Sequence, residues 1–356
     1  MSHPHSNHSE GASPAAAATH APSGRDGVSR ESVAPPFKIS VAVPARNEER
    51  SIVRLLEALA GQTEPPAEIV IADGGSTDRT RELVRAFSGS SPVPIVLVET
   101  ERGLPGRNRN LAIARASNEW VACVDAGTAP RREWLEELTG AARRDDSARV
   151  VWGSFEAVNE GLFTECAAIA YVPPPHEAVR SIASCLLHRS AWESAGGFRE
   201  DLRSGEDLLF FRALDAAGVR STRAPAALVA WELAPTTAST FGKFTTYSRH
   251  NIRAGLAREW QYSVTRLYLL LFALLAAGVF IFRPLIVLPP LLLLVRSARR
   301  LWKWHAAKPA ARRLLALANP PRLLVVTWIN LVIDAAMFRG MWQWLRHDRK
   351  GRNDER

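Results

Sequence analysis

The sequence predicts an α/β fold: a mainly parallel sheet flanked by helices, followed by C-terminal membrane-associated helices. Between Ile39 and Val124, short β-rich runs alternate with apolar residues at helical spacing, the mark of repeated strand–helix units. Charged and glycine-bearing strings directly follow several of those strands, where open α/β sheets bind their ligands. Residues 264–295 are almost purely apolar, and roughly 20 helical residues cross a hydrocarbon core.

Residues 1–36 are nearly all His, Ser, Ala, Pro, Gly and charged residues. Such a segment buries too little apolar surface to offset its ordering entropy, so a disordered tail is expected. Its histidines (His3, His5, His8 and His20) are scattered as in a solvated tail. It lacks the apolar stretch of a signal peptide, so the domain that follows is expected in the cytoplasm.

Ile39-Ser40-Val41-Ala42-Val43 reads as the first strand. Ile52, Leu55, Leu56 and Leu59 follow at helical spacing behind the acidic Glu48 and Glu49, and Gly61 ends that helix. Glu68–Ala72 is the second strand. Ser76 or Thr77 is placed to cap the helix bearing Leu83, Val84 and Phe87. Pro94–Val98 is a third strand, 107–116 a third helix and Trp120–Val124 a fourth strand. Residues 150–262 are less regular, with Pro173-Pro174-Pro175, and are expected to complete one domain over 37–262. The three cysteines, Cys123, Cys166 and Cys185, form no Cys-x-x-Cys pair and sit in apolar company, which predicts buried free thiols.

The segment 263–346 is expected to associate with a membrane. Residues 264–282 form one arm of a hairpin and 284–295 the other. Arg283-Pro284 lies at the far surface, because a single long helix would strand Arg283 at mid-membrane. Residues 323–341 carry Asp334 and are flanked by Arg322 and Arg339, which leaves an interfacial helix or a third crossing. A basic tail, 347–356, follows. The net charge of +9 calls for a polyanionic partner. Arg296, Arg299, Arg300, Lys303, Lys308, Arg312 and Arg313 follow the apolar run, where a cytoplasmic flank holds its charge, which points to anionic membrane lipids. With no helix-turn-helix, zinc-finger or aromatic RNA-binding signature, nucleic acid is not an expected partner. The whole chain is expected in a multi-pass arrangement at the inner membrane.

Four strings can carry chemistry. Pro44-Ala45-Arg46-Asn47-Glu48 ends the first strand, and Asn47 also suits a plain helix cap. Asp73-Gly74-Gly75-Ser76 ends the second. Asp73 can accept bonds from ribose or base, while the same string also makes a tight turn. Asp125-Ala126-Gly127 ends the fourth, and Asp125 offers a hard oxygen ligand to a cation or is a loop aspartate. Glu206-Asp207 follows Gly196-Gly197-Phe198. It can take a proton from an attacking hydroxyl, or it merely opens the helix of Leu208, Leu209, Phe211 and Leu214. Each bland reading suffices alone, but four in this order argue for a site.

In that order the strings resemble the family 2 glycosyltransferases over about Ile39 to Gly255. The resemblance implies a GT-A type nucleotide-sugar-binding domain and transfer from a nucleotide-diphosphate sugar to an acceptor hydroxyl. The expected acceptor is a sugar or a lipid-linked molecule, and the membrane segments favour the latter. It implies donor binding by Pro44, Arg46, Asn47, Glu48, Asp73, Ser76, Arg109 and Asp125. Arg109-Asn110 is the better register for the family's Arg-Asn pair, and Arg107-Asn108 the competing one. Asp207, with Glu206, is implied as the catalytic pair of an inverting reaction, Asp207 being the base. A divalent cation, Mg²⁺ or Mn²⁺, is implied, with Asp125 as its ligand. The family's usual Asp-x-Asp ends here in Gly127, which leaves the second carboxylate unassigned. The Gln-x-x-Arg-Trp string of processive synthases is missing, so a single transfer is expected, with Arg249, His250 and Arg253 the nearest cations for the diphosphate. A dehydrogenase would need Gly-x-Gly-x-x-Gly after the first strand, and a nucleotidylyltransferase a glycine-rich loop opening the chain. The remaining alternative is a membrane scaffold that binds nucleotide sugar with impaired chemistry.

Overall fold

The computed structural model describes residues 37–348 except 159, 175, 176 and 178. The tail expected over 1–36, and most of the basic tail, lie outside the described residues.

The first half follows the strand–helix pattern: β1 (Ile39–Ala45), α1 (Ile52–Ala60), β2 (Glu68–Asp73), α2 (Thr80–Ser88), β3 (Ile95–Glu99), α3 (Pro105–Arg115) and β4 (Trp120–Cys123). These strands are parallel, with Val41 opposite Ile69 and Ala122 in register. Successive side chains leave a strand on opposite faces. Val41, Val43, Ile69 and Ile71 therefore join α1 and α4 residues in one core, while Ala42, Val70, Ala72 and Val121 meet α3 and α7 residues in another.

β5 (Thr128–Pro130), α4 (Trp134–Arg144), β6 (Val150–Val158), α5 (Leu162–Tyr171), β7 (Cys185–His188), α6 (Arg189–Ser194), α7 (Glu206–Ala216) and β8 (Ser221–Glu232) complete the domain. The eight strands run in the order β3-β2-β1-β4-β7-β6-β8-β5. β7 enters antiparallel between β4 and β6, and β5 is antiparallel to β8, so the mainly parallel sheet is mixed at one side. Cys123 and Cys185 are cross-strand partners, and all three thiols are buried and free.

The C-terminal part is helical: α8 (Thr237–Arg253), α9 (Ala257–Phe280), α10 (Leu288–Trp304), α11 (Ala310–Leu317) and α12 (Pro320–Gln343). Thr236 and Ser239 form a capping box that fixes the start of α8. A 3-10 turn over Arg283–Val287 folds back so that Ile286 lies against Gly278. The turn sits where the hairpin was expected, but α10 starts at Leu288 and runs through the basic cluster to Trp304. Pro289-Pro290 therefore opens that helix, where missing N–H groups cost nothing.

Two helices are long and apolar enough to cross a membrane, Ala257–Phe280 and Pro320–Asp348. Only 11% of the most apolar window of α9 is buried, against 56% for the second. That second helix contains the segment 323–341, expected as an interfacial helix or a third crossing. Asp334, fully buried, accepts a bond from Arg296 Nη2 at 3.0 Å and one from the Tyr268 hydroxyl at 3.2 Å. Pairing turns the inward-facing acid from an obstacle into a link between α12, α10 and α9.

Candidate active site

The loops at the carboxyl ends of β1 and β2 are stitched together. Asn47 sits at φ +57°, a left-handed backbone that Asn tolerates better than most residues. Its N–H donates to Ser76 Oγ at 2.8 Å, and Thr77 N–H donates to its Oδ1 at 2.8 Å. Glu48 N–H donates to Thr80 Oγ1 at 2.7 Å. Asp73 is fully buried and accepts from Gly75 N–H at 3.1 Å, Ser76 N–H at 2.9 Å and the Ser76 hydroxyl. Arg81 Nε stands 3.6 Å from the same carboxylate. Neither Ser76 nor Thr77 caps the next helix, contrary to expectation. α2 begins at Thr80 behind Arg79 without a side-chain cap, because the Asp73 carboxylate at the strand end claims Ser76 first. Asp73, Ser76 and Asn47 thus shape the loop, and none of the three lines the cavities below.

Two cavities meet beyond these loops. One, of about 260 Å³, is lined by Pro44, Arg46, Glu48, Asn108 and Gly127 among others. The other, of about 400 Å³, lies between Asp207 and the aromatic residues Phe155, Tyr247 and Trp260, and includes Lys243 and Asn251. They share Pro105, Arg109, Asp125, Thr128, Arg203 and Trp231. Lys243, Tyr247 and Asn251 stand four apart on α8, which brings them to one face of that helix.

Arg109 is buried at the wall common to both cavities. Its Nη2 donates to Asp125 Oδ1 at 2.7 Å and its Nη1 to Glu206 Oε1 at 2.6 Å. Burial alone would lower its pKa, but the two carboxylates more than offset this and hold it well above the ordinary value. Expected on the donor, Arg109 has both outer nitrogens engaged by protein. Glu206, expected in the catalytic pair, is buried with its Oε1 in this ion pair. Asp207, the next residue, has a carboxyl pushed up to about 6 by burial and by the Glu206 charge, against the pull of Arg109. Both acids open α7 behind Gly205, whose φ of +84° favours glycine. A Cβ there would also stand 2.7 Å from Asn251 Oδ1. Ser204 Oγ, Glu206 Oε2 and Asn251 Oδ1 line this cavity without a hydrogen-bond partner.

The basic residues differ from expectation. Arg249 is held by Asp348 at 2.7 Å, and Arg253 lies 3.6 Å from Asp201. His250 Nδ1 accepts the N–H of Arg203, and burial with the neighbouring Arg249 and Arg253 depresses its pKa. The cation that faces both cavities with an exposed side chain is Arg203. Its place three residues ahead of Glu206 was the available signal. Asn108, named above only in the competing register, lines the smaller cavity. Its amide fills space left by Gly74 and Gly103, where an added Cβ would come within 2.3 Å and 1.7 Å of it, and its Oδ1 lacks a partner. Trp231, Tyr247 and Trp260 gave no local signal, because three separate elements deliver them.

Among the described residues no cluster of three or more His, Cys, Asp or Glu side chains could hold a metal. The donor set still suits a hard cation that keeps water and phosphate as its other ligands. Asp125 has one oxygen on Arg109, and Glu48 approaches the position that Gly127 leaves open: Glu48 Oε2 lies 3.7 Å from where a residue-127 Cβ would be. Burial raises the Glu48 pKa, the Ser51 hydroxyl opposes this, and the Asp125 and Asp78 charges add to it.

Residues 40–220 match the family model described as glycosyl transferase family 2. The chain is 30% identical over 183 residues to poly(ribitol-phosphate) beta-N-acetylglucosaminyltransferase TarS of Staphylococcus aureus, covering 49% of this chain and 32% of that protein. It is 28% identical over 204 residues to the pre-mycofactocin glycosyltransferase of Mycobacterium tuberculosis, covering 54% of this chain and 42% of that one. The chain thus spans about a third of the length of the first relative. A mannosyltransferase from Pyrobaculum calidifontis, solved with GDP-Man and Mn²⁺, superposes with a TM-score of 0.54 at 19% identity over 87% of this chain and 89% of that one. That likeness is one of fold.

Proposed function

This chain belongs to glycosyl transferase family 2, and from that premise we propose that it transfers one sugar from a nucleoside-diphosphate sugar to an acceptor hydroxyl with inversion. The observation that carries the reading is the junction of the two cavities at Arg109, Asp125 and Arg203, with Asp207 on the wall of the larger one. The smaller cavity takes the donor and the larger the acceptor. Asp207 accepts the proton of the acceptor hydroxyl, whose oxygen attacks the anomeric carbon as the bond to the diphosphate breaks. Glu206 is tied to Arg109, so one working carboxylate faces the acceptor, which supports a single displacement over a covalent intermediate.

Arg203, common to both cavities, supplies positive charge to the departing diphosphate. Asp125 and Glu48 are the side chains that would hold a divalent cation, which when bound would neutralise phosphate charge. Asp73, Asn47 and Ser76 position the loop that receives the nucleotide.

The reading extends to a membrane-attached enzyme with its catalytic domain on the cytoplasmic side and a lipid-linked acceptor. Trp260 of α9 lines the acceptor cavity, and further along the same helix Phe272 and Phe280 are exposed. The polar start of that helix and its apolar end would then meet the acceptor and the bilayer in turn.

The test is a screen of nucleotide sugars by release of nucleoside diphosphate from purified protein, with Asp207→Asn as control. One donor should be turned over, and the variant should lose about 10²–10⁴-fold in rate while still binding nucleoside diphosphate. Near-normal turnover in the variant would remove Asp207 as base. Failure of every nucleoside diphosphate to bind would remove the glycosyltransferase reading.

A further inference from the structure

Lys243 stands in the wall of the larger cavity with its Nζ 4.2 Å from the Trp231 ring centre, 5.5 Å from that of Tyr171 and 5.6 Å from that of Tyr247. Among the described residues its ammonium makes no ion pair and no hydrogen bond. The ring faces attract the charge through their quadrupoles. They offer no oxygen to its three N–H donors. Lys243 is half-buried, and an ammonium walled by rings loses hydration that no matching acid here restores. Here that desolvation has brought its pKa down to about 8. Asp207 and Glu206 do not supply the match, since Arg109 is the cation that engages that acidic pair.

We propose that Lys243 binds a phosphate group carried by the acceptor, held in the aromatic cage of Trp231, Tyr171 and Tyr247. The inference rests on the larger cavity being the acceptor site and narrows the acceptor to a phosphorylated one. An incoming phosphate provides the oxygens that the ammonium lacks, in charge-assisted bonds about twice as strong as neutral ones. Asn251, one turn beyond Tyr247 on the same face of α8, lines the same cavity. Lys243, Trp231 and Tyr247 line the same cavity as Asp207, so the charged group can anchor the acceptor while the reacting hydroxyl stays by Asp207. The phosphate has two sources: a soluble sugar or polyol phosphate, and the headgroup of a lipid.

The test reads Lys243 directly in the full chain. Only an unprotonated amine reacts with acetic anhydride, so near neutral pH Lys243 acetylates ahead of ordinary lysines, whose pKa is about 10.4. Protein in phosphatidylcholine nanodiscs is labelled with glycerol 3-phosphate, with glycerol or with UDP, and acetylation of the Lys243 peptide is followed by mass spectrometry. A parallel preparation in nanodiscs containing phosphatidic acid is labelled without additions. Glycerol 3-phosphate at ten times its dissociation constant should slow labelling about tenfold by mass action, and glycerol should not. Slowing confined to the phosphatidic acid discs identifies the phosphate as a lipid headgroup. Equal rates in all preparations overturn the proposal. So does protection by UDP matching that by glycerol 3-phosphate, which would assign the amine to the donor. Calorimetry of UDP and GDP on the same samples separates this from the broader reading: nucleotide binding without Lys243 protection leaves the transferase standing and removes only the phosphorylated acceptor.

Discussion

Arg109 and Glu206 stand 97 residues apart in the chain and 2.6 Å apart in the fold. Their pair joins α3 to α7 and, on the proposed mechanism, leaves Asp207 as the base. Arg109→Leu leaves Glu206 buried and unpaired, and should destabilise the protein by about 3–5 kcal/mol. Removing both charges in Arg109→Leu/Glu206→Leu should cost less than the single change, because no buried charge is then orphaned at that position. Denaturant midpoints of the three proteins decide it, and a double variant worse than Arg109→Leu would show that the pair is not coupled.

The pH dependence of catalysis follows from Asp207. Its pKa is raised to about 6, and the base works only when ionised. Activity should therefore be full above that pH and fall tenfold per unit below it. Burial is the larger cause of the shift and the Glu206 charge the next. Glu206→Gln removes the like charge and leaves Arg109 pulling harder, so the acid limb should move to lower pH. A profile of nucleoside diphosphate release for both proteins measures this, and an upward move would contradict the electrostatic account.

Asp73 acts through the loop it holds. Asp73→Ala orphans the N–H groups of Gly75 and Ser76, each unsatisfied group costing about 1–3 kcal/mol, and leaves Arg81 with Glu99 and the Ser76 carbonyl as partners. Both stability and nucleotide affinity should drop, with and without Mn²⁺. Asp73→Asn keeps one carbonyl oxygen for the two N–H groups and should lose less of each. Calorimetry showing unchanged affinity in both variants would leave Asp73 a turn residue without bearing on the donor.

Gly127 offers a gain-of-function test of the cation site. The nearest atom to an added Cβ is Glu48 Oε2 at 3.7 Å, an ordinary contact, so Gly127→Asp should fold normally. It adds a hard ligand beside Asp125 and Glu48, and should raise the factor by which Mn²⁺ strengthens GDP or UDP binding. Without metal the added charge should weaken binding of the diphosphate. The same Mn²⁺ factor in wild type and variant would show that no cation binds there.

The outer face of α9 can be tested separately from catalysis. Phe272 is 72% exposed, Phe280 85% and Ile281 83%. Phe272→Glu/Phe280→Glu removes no core contact and should abolish flotation with phospholipid vesicles while leaving the melting temperature within a few degrees. Undiminished flotation would transfer membrane attachment to α12 or to the basic face of α10.

The strand–helix units up to β4 were legible because each strand is a short apolar run, and β1, β2 and β4 are buried on both faces. Asp125 and Glu206-Asp207 were likewise legible, since strand ends and helix starts fix where such acids point. What the sequence did not reveal depends on long-range partners. Ser76 serves as well for a cap as for a partner of Asp73, and only the three-dimensional loop chooses. Arg249 was an attractive phosphate ligand until Asp348, 99 residues later, engaged it. Asp334 looked like a reason to keep 323–341 at an interface because its partner Arg296 belongs to another helix. The aromatic wall of the acceptor cavity comes from β8, α8 and α9 together, and no local pattern announces such a convergence.

One face of α8 carries Lys243, Tyr247 and Asn251 into the cavity, while Ser248 on the other donates to the Met337 carbonyl at 2.7 Å and Thr245 and Ser248 abut Gly340 of α12. The missing side chain at Gly340 lets the two helices approach closely, since a Cβ there would lie 2.5 Å from the Thr245 carbonyl. One helix therefore serves as a ruler. The cavity wall and the apolar helix behind it are separated by a fixed distance, an interaxial spacing at or below the usual 8–10 Å. If the acceptor is anchored beyond that helix, as proposed, it would present its hydroxyl at one height only, and reach would become a selection rule alongside chemistry. Substrates with shorter or longer stems between anchor and hydroxyl would be excluded by length before any side chain discriminated among their sugars.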